Sequence, residues 1–221
     1  MQLIGMLDSP YVRRVAVSLQ LLGLRFEHQP LSVFRTFAEF QQINPVVKAP
    51  SLVCDDGEVL MDSSLILDYA EALAAPGKSL MPTGISARQH ALRRIGLALA
   101  ACEKSVQIVY ERELRPPEKV HQPWLTRVIS QLLAAFDALE SDLAQQAPAM
   151  AQTPLDQAGI CTAVAWHFAQ QNVPQQVEAA RYPGLCAFSA WAEALPAFRA
   201  APYGPGTFRQ ADGENIRKIG L

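Results

Sequence analysis

The feature that most constrains the fold of this chain is a change of hydrophobic period near residue 80. From residue 1 to about residue 75 the period changes every few residues, whereas residues 88 to about 200 keep a helical period almost throughout. A stretch rich in proline and glycine, Ala75 to Gly84, separates the two parts and is typical of a linker. The 221 residues suffice for two small domains, which we place at residues 1–79 and 86–221.

The first part predicts a mixed β-sheet covered by helices. Ser9 is expected to cap the first helix, with Pro10 at its first position and Gly23 after its end. A strand–helix–strand start implies a parallel pair, and a hairpin around Asp55-Asp56-Gly57 adds antiparallel strands. The predicted elements, in the order β-α-β-α-β-β-α, are Gln2 to Met6, Pro10 to Leu22, Arg25 to Leu31, Thr36 to Ile43, Ser51 to Cys54, Val59 to Met61 and a helix opened by Asp62-Ser63.

The second part predicts a bundle of α-helices. Two long helices carry apolar stripes that we expect to be buried. The first stripe comprises Leu92, Ile95, Leu99, Cys102, Val106 and Val109, and the second runs from Leu125 to Leu143. Thr153 to Asp156 matches a capping box in which Thr153 is the cap and Asp156 reaches back, and a last helix spans Gly184 to about Leu195. Such stripes bury one another, so an all-α bundle follows.

Charge and motif content exclude several classes of function. The net charge is −2, without a basic stripe, so nucleic acid is not expected as a partner. The sequence offers neither a membrane-spanning apolar run nor a signal-peptide pattern, so we expect a cytoplasmic protein that does not bind membranes. Four scattered cysteines and four histidines lack metal-ligand spacing, so neither disulfides nor a metal is expected. Glycine-rich phosphate loops and common hydrolase motifs are missing as well.

Two predicted helix starts offer the two halves of one anion site. Ser9 opens the first helix and Asp62-Ser63 opens a later one, and free backbone N–H groups at such starts attract negative charge. Lys48 and the Ala49-Pro50 bond lie between them in the sequence. Each also has a plain structural interpretation, as a cap, a surface lysine or a strand-edge proline. Together they favour a small charged peptide with a thiolate, and a cis bond before Pro50 would let the Ala49 backbone pair with it.

The Ser9 hydroxyl is the candidate catalytic group, because it could stabilise a ligand thiolate without a general base. An ordinary thiol has a pKa of about 8.5, and lowering it by two units takes about 2.7 kcal/mol. A charge-assisted hydrogen bond supplies roughly 1.5–3 kcal/mol, and a helix N-terminus adds roughly 0.3–1 kcal/mol. The two contributions together suffice.

At these residues the chain resembles the cytosolic glutathione transferases, in particular serine-type, tau- or omega-like and bacterial members. Ser9 to Arg13 is similar to the active-site turn of that family. Asn44 to Leu52 resembles its N-P-x-x-K-x-P-x-L element, and Asp62-Ser63-Ser64 with Ile66 and Tyr69 resembles a helix start of the family. Thr153 to Asp156 is similar to the capping box of its helical domain. Four fragments in the right order, over nearly the whole chain, indicate the fold.

The resemblance implies an α/β, thioredoxin-like N-terminal domain, an all-α C-terminal bundle, a homodimer and glutathione as cosubstrate. Ser9 would stabilise the glutathione thiolate. Lys48 would meet a ligand carboxylate, Ala49 the cysteinyl backbone, and Asp62 with Ser63 the γ-glutamyl head. No metal is implied. The expected reaction adds or exchanges the thiolate on a small hydrophobic electrophile, as in detoxification.

Two positions depart from the family pattern. Omega- and beta-like members carry a cysteine where this chain has Ser9, which argues against a mixed-disulfide thioltransferase mechanism. Val47 stands where many members have a small residue such as glycine. Its bulk would narrow the peptide slot beside Lys48.

The electrophile pocket is the least specified part of the predicted site. By position, Tyr11 and Phe34 from the first domain and Val106 and Tyr110 from the second are expected to line it. Trp166 is a further candidate, although core packing is the better interpretation. The tail from Pro202 to Leu221 either folds over the cleft or moves freely.

Two alternatives stay open from the sequence. A non-catalytic member of this fold would bind a protein partner, and the intact peptide-site elements argue against it. An enzyme of the same fold could also be a glutathione-dependent isomerase, peroxidase or dehalogenase, because these chemistries differ mainly in the electrophile pocket.

Overall fold

The computed structural model describes residues 1–146 and 155–208, and its first lobe is a four-stranded mixed sheet with helices. Its strands are β1 (Gln2–Ile4), β2 (Glu27–Gln29), β3 (Ser51–Val53) and β4 (Val59–Met61), and its helices are α1 (Pro10–Leu21), α2 (Phe37–Ile43) and α3 (Ser63–Leu73). The strand order is β2-β1-β3-β4. β1 and β2 are parallel, whereas β3 is antiparallel to both β1 and β4. The predicted mixed sheet is confirmed.

The turn between β1 and α1 depends on glycine. Gly5 adopts a φ of 136°, so β1 ends at Ile4 and not at Met6 as predicted. A Cβ atom at Gly5 would lie only 2.6 Å from a methyl group of Val12, so α1 packs directly on this turn. α1 begins as predicted, with Ser9 as N-cap and Pro10 at the first helical position. The close packing therefore fixes where the Ser9 hydroxyl lies.

The region after α3 is helical. Its helices are α4 (Ile85–Glu113), α5 (Gln122–Gln146), α6 (Gln157–Asn172), α7 (Pro183–Glu193) and α8 (Pro196–Ala200), with 3₁₀ turns at Pro117–Lys119 and Ala179–Arg181. The predicted all-α bundle is thus confirmed. Within the described ranges, no helix combines the length and apolar character that crossing a bilayer requires. The domain limits at residues 79 and 86 fall between the end of α3 and the first turn of α4, and they stay a prediction.

α4 buries a different face from the predicted one. Of the predicted stripe only Cys102 is buried, Leu92 is 52% exposed, and Leu99, Val106 and Val109 line a cleft. The other buried positions of α4 are Ala91, Ala98, Ala101, Ser105, Ile108 and Glu111, and most of these side chains are small. Small side chains let α4 approach α5 and α6 closely, which leaves several larger apolar residues to the cleft.

α6 begins later than the predicted capping box implies. Asp156 is itself the N-cap, and its Oδ1 accepts a hydrogen bond from the Gly159 N–H at 2.7 Å. Aspartate is a stronger N-cap than threonine, so the expected role of Asp156 was wrong. Thr153 and Pro154 lie outside the described residues. The first residue of α6, Gln157, accepts a hydrogen bond from Ser18 of α1 at 3.1 Å, which joins the two lobes.

The core of the bundle is aromatic. The ring of Trp166 lies 5.2 Å from that of Phe136 and 5.4 Å from that of Tyr182. Trp166 is buried there, so core packing is its role. All four cysteines are free, and three of them are buried, whereas Cys186 is partly exposed.

Candidate functional site

A cleft of about 970 Å³ lies between the first lobe and α4. It brings together the nine residues that the sequence singled out: Ser9, Tyr11, Phe34, Lys48, Ala49, Asp62, Ser63, Val106 and Tyr110. Their parts in binding and catalysis stay predictions, but they do share one cavity. The polar wall of the cleft consists of Ser9, Lys48, Asp62 and Ser63 of the first lobe. The opposite wall consists of α4, the end of α6 and the segment after α8.

Ser9 lies at the start of α1, and its hydroxyl makes one weak hydrogen bond within the described residues. Its Oγ accepts a hydrogen bond from the Val12 N–H at 3.4 Å, which is long for a cap. The hydroxyl proton is not spent on that bond, because oxygen acts there as the acceptor. The helix start therefore presents both a positive dipole end and an O–H donor to the cleft.

The start of α3 carries a second donor group. Ser63 is buried, and its hydroxyl accepts a hydrogen bond from Arg14 Nη1 at 3.0 Å. The same nitrogen donates to the Ser64 hydroxyl at 3.2 Å. Since both serine oxygens are acceptors towards Arg14, both hydroxyl protons stay available.

Arg14 is a buried cation without a carboxylate partner among residues 1–146 and 155–208. It is 3% exposed, and its Nε has no hydrogen-bond partner within those ranges. A buried, unpaired charge is costly, so an anion at the start of α3 would be favoured electrostatically. Sequence reasoning missed this residue; its signal is that the Arg13-Arg14 pair interrupts the apolar residues of α1 between Val12 and Val15.

Lys48 and Asp62 form an ion pair across the polar wall. Their Nζ and Oδ2 atoms lie 3.6 Å apart, and both side chains are half exposed. Asp62 also caps α3 by accepting from the Ser64 N–H at 2.9 Å, as predicted. An exposed pair of this kind contributes about 0–1 kcal/mol, so a charged ligand can compete for either partner.

The loop that carries Lys48 and Ala49 is organised by a buried amide. Asn44 donates to the Ser51 hydroxyl at 2.8 Å, and Ser51 in turn donates to the Lys48 carbonyl at 2.8 Å. The Ala49-Pro50 peptide bond is cis. Val47 adopts a φ of 53°, a left-handed conformation that a β-branched residue rarely takes.

The electrophile half of the cleft contains aromatic rings and phenols. The Phe34 ring meets the Tyr110 ring edge to face, with centroids 5.7 Å apart. Burial raises the pKa of Tyr110, and the negative charge of Asp8 raises it further. Burial also raises the pKa of Asp8, which lines the same cleft. Asp8 gave no recognisable signal in the sequence beyond its place before Ser9.

A segment that the sequence left undecided closes the far side of the cleft. Arg13 Nε donates to the Ala201 carbonyl at 2.8 Å, and the Arg13 guanidinium makes two hydrogen bonds of 2.7 and 2.6 Å to Glu193. The Phe208 ring stacks on Phe26 at 4.5 Å between centroids. Residues 201–208 therefore lie against the first lobe, and residues 209–221 lie outside the described part.

No group of three or more histidine, cysteine or acidic side chains that could hold a metal ion occurs among the described residues. The chemistry available in the cleft is that of hydroxyl donors, helix N-termini and a few charges. Such a set can bind and polarise an anionic ligand.

Comparison with known proteins decides the family. A family model for the N-terminal domain of glutathione S-transferases matches residues 3–78. A glutathione transferase family member from Pseudomonas fluorescens, solved with bound glutathione, is 31% identical, and the superposition covers 92% of this chain and 98% of that one with a TM-score of 0.79. The chain belongs to the glutathione transferase family. This family member has a thioredoxin-like N-terminal domain followed by a helical C-terminal domain, as the resemblance implied.

This glutathione transferase family chain also aligns over part of its length with two curated relatives. It is 30% identical to the maleylacetoacetate isomerase of Pseudomonas aeruginosa over 58% of this chain and 64% of that protein. It is 29% identical to the uncharacterized GST-like protein YibF of Escherichia coli over 65% of this chain and 70% of that one. The chain thus spans about two thirds of the length of these relatives.

Proposed function

We propose that the chain is a serine-type glutathione transferase in which Ser9 stabilises the thiolate of glutathione. The observation that carries this proposal is the weakly occupied Ser9 hydroxyl at the start of α1, inside the cleft. A sulfur anion placed there would accept a hydrogen bond from Oγ and face the positive end of the helix. Both interactions favour the thiolate over the thiol, so its pKa would fall.

The peptide part of glutathione would bind along the polar wall. The γ-glutamyl carboxylate would accept hydrogen bonds from Ser63, above the Arg14 charge, and Asp62 would pair with the ammonium group. Lys48 would meet the glycine carboxylate, and the Ala49 backbone would pair with the cysteinyl residue. This orientation uses the charges of Lys48, Asp62 and Arg14 and places the sulfur towards Ser9.

The reaction would join the thiolate to a small electrophile held against Tyr11, Phe34, Val106 and Tyr110. The sulfur–carbon bond forms while a leaving group or a π-electron pair takes up the negative charge. Catalysis comes from the stabilised thiolate and from proximity, without a covalent bond to the protein.

Isomerisation is the second candidate, because one relative carries the name maleylacetoacetate isomerase. The same thiolate would add to a double bond and leave again after rotation. The two reactions are separated by following the thiol: conjugation consumes glutathione in equal amount to the electrophile, whereas isomerisation does not consume it.

Replacing the serine tests the proposal directly. Ser9→Ala should lower kcat/KM about 100-fold and move the pH at which the thiolate forms upward by about two units. Ser130→Ala is the matched control, because that hydroxyl bonds to the Arg127 carbonyl on α5, outside the cleft. Full conjugation activity in Ser9→Ala would contradict the role of Ser9. Absence of glutathione binding in calorimetry would favour the non-catalytic alternative.

We also infer a cytoplasmic homodimer, as is common in the family. Light scattering would then give twice the 24.2 kDa mass of the chain. A monomer at working concentration would contradict it.

A further inference from the structure

The electrophile half of the cleft holds a phenol whose proton is unused. Tyr203 lines the cleft, and its Oη accepts a hydrogen bond from Asn172 Nδ2 at 2.9 Å. Within residues 1–146 and 155–208, no group accepts a hydrogen bond from the Tyr203 hydroxyl. Asn172 gives its other amide proton to the Phe168 carbonyl at 2.8 Å, so the amide itself is held in place. The Tyr203 hydroxyl is therefore a positioned donor waiting for an acceptor.

The backbone around Tyr203 is fixed on both sides. Arg13, which follows the Ser9 turn, holds the Ala201 carbonyl, and Glu193 holds Arg13 with two hydrogen bonds. On the other side, the Phe208 N–H donates to His28 Nδ1 at 3.0 Å. The His167 ring lies 5.4 Å from the Tyr203 ring. A side chain held in this way binds its acceptor without a large entropy cost.

Tyr203 stays protonated at neutral pH. Burial raises the pKa of Tyr203, and the negative charge of Asp8 adds to this against the opposing hydrogen bond from Asn172. Tyr110, in the same half of the cleft, is a second protonated phenol for the same main reason. A purely apolar electrophile would displace water from these hydroxyls without accepting a hydrogen bond in its place, and this desolvation costs free energy. An electrophile with an acceptor oxygen satisfies them.

We propose that Tyr203 is a specificity-determining residue: its hydroxyl donates a hydrogen bond to a carbonyl oxygen of the electrophile, so that conjugated carbonyl compounds are favoured over electrophiles without an acceptor oxygen. This inference rests on the proposed function and names the residue that selects among its electrophiles. For an α,β-unsaturated ketone, the glutathione sulfur bonds to the β-carbon, the C=C π pair shifts towards the carbonyl carbon, and the C=O π pair moves to oxygen as an enolate. Tyr203 stabilises that oxygen as its charge develops. The α-carbon then takes a proton from water, which balances the proton lost when the thiol ionised.

The test compares an enone with an electrophile that has no oxygen. Benzylideneacetone is the enone, and benzyl chloride is the comparator, since displacement of chloride creates no charge on oxygen. Tyr203→Phe keeps the ring and removes the donor. We expect kcat/KM for benzylideneacetone to fall about 30-fold and that for benzyl chloride to change less than about twofold. Tyr69→Phe, which removes a phenol outside the cleft, should change neither.

The outcomes separate this inference from the proposed function. Wild-type turnover of benzyl chloride with no turnover of the enone overturns the preference for carbonyl electrophiles and leaves the transferase proposal standing. Equal loss on both substrates in Tyr203→Phe, or loss on neither, overturns the role of Tyr203. A wild-type protein that conjugates neither substrate and binds no glutathione overturns the proposed function and this inference with it. Asn172→Leu, which frees the phenol, should reproduce part of the selective loss on the enone.

Discussion

The two walls of the cleft are assembled in different ways. The polar wall takes its groups from two helix starts, at Ser9 and at Asp62-Ser63, and from the loop with Lys48, each a few residues of continuous chain. The opposite wall joins α4, the end of α6 and residues 201–208 through contacts between distant positions; Arg13 and Glu193, for example, are 180 residues apart. A wall made of short segments can be recognised in the sequence. A wall made by long-range contacts exists only after folding.

The largest expected effect comes from breaking the ion pair between Arg13 and Glu193, the clamp that joins the first lobe to α7. Glu193→Ala leaves the Arg13 guanidinium buried without its carboxylate, so we expect the free energy of unfolding to fall by about 3–5 kcal/mol in urea denaturation. A double variant, Arg13→Met with Glu193→Met, removes both charges at similar volume and should recover most of the loss. If the single variant is as stable as the wild type, the clamp does not hold the second wall.

The next effect concerns the polar wall. Arg14→Met removes the guanidinium that donates hydrogen bonds to the Ser63 and Ser64 hydroxyls, together with its positive charge. We therefore expect the Kd for glutathione to rise roughly 30-fold, which corresponds to about 2 kcal/mol. Calorimetry measures this, and Arg25→Met, at an exposed position outside the cleft, is the control. Unchanged affinity would mean that Arg14 supports the fold but not the ligand.

A smaller effect links pH to the segment that closes the cleft. His28 Nδ1 accepts from Phe208, and Nε2 donates to the Gly5 carbonyl at 2.7 Å, so only the neutral ring satisfies both bonds. Burial lowers the pKa of His28 below its unfolded value of about 6.5. The unfolded chain thus binds the proton first, and the contribution of His28 to stability is complete above about pH 6.5 and is lost as pH falls below it.

Thermal unfolding at a series of pH values checks this sign. His28→Gln removes the titrating ring, so the difference in stability between wild type and variant should shrink as pH falls from 7 to 5. His167 titrates in the same direction, since burial lowers its pKa as well, but it is present in both proteins. A difference that grows on acidification would contradict the neutral ring at His28.

The smallest effect lies in the peptide slot. Val47→Gly relieves a left-handed backbone at φ 53°, which should raise the free energy of unfolding by about 0.5–1 kcal/mol after the extra entropy of glycine is counted. Val46→Gly is the matched control, because Val46 has no positive φ and should only lose stability. A loss at Val47 equal to that at Val46 would show that its backbone carries no strain.

The polar wall and the order of elements followed from the sequence because their signals are local. The Ser9 cap, the hairpin after Val53 and the Asp62 cap each depend on residues within about four positions of one another. The predicted buried face of α4 was wrong because apolar periodicity gives weight to large side chains, whereas most of the side chains that α4 buries are small. The predicted start of α6 was wrong because Asp156, a stronger N-cap than Thr153, lies three residues after it.

The groups that the sequence did not single out share one property, which is distance along the chain from their partners. Arg14 is 49 residues from Ser63, and Tyr203 is 31 residues from Asn172. No motif spans such separations, and an arginine or tyrosine alone is ambiguous between surface, core and site. Arg14 still left a trace, because the Arg13-Arg14 pair interrupts the apolar residues of α1, whereas Tyr203 left none.

Phe208 packs on Phe26 and donates a hydrogen bond to His28, so the last described residue is bound to the first lobe. A nonsense codon at position 202 would spare every helix that the structure describes, yet it would remove the cover from the sheet edge at β2 and from the side of the cleft that carries Tyr203. Loss of these C-terminal residues would therefore impair the N-terminal lobe. A deletion series assayed only by its helix content would miss this defect, because the lost contacts lie on the sheet and in the cleft.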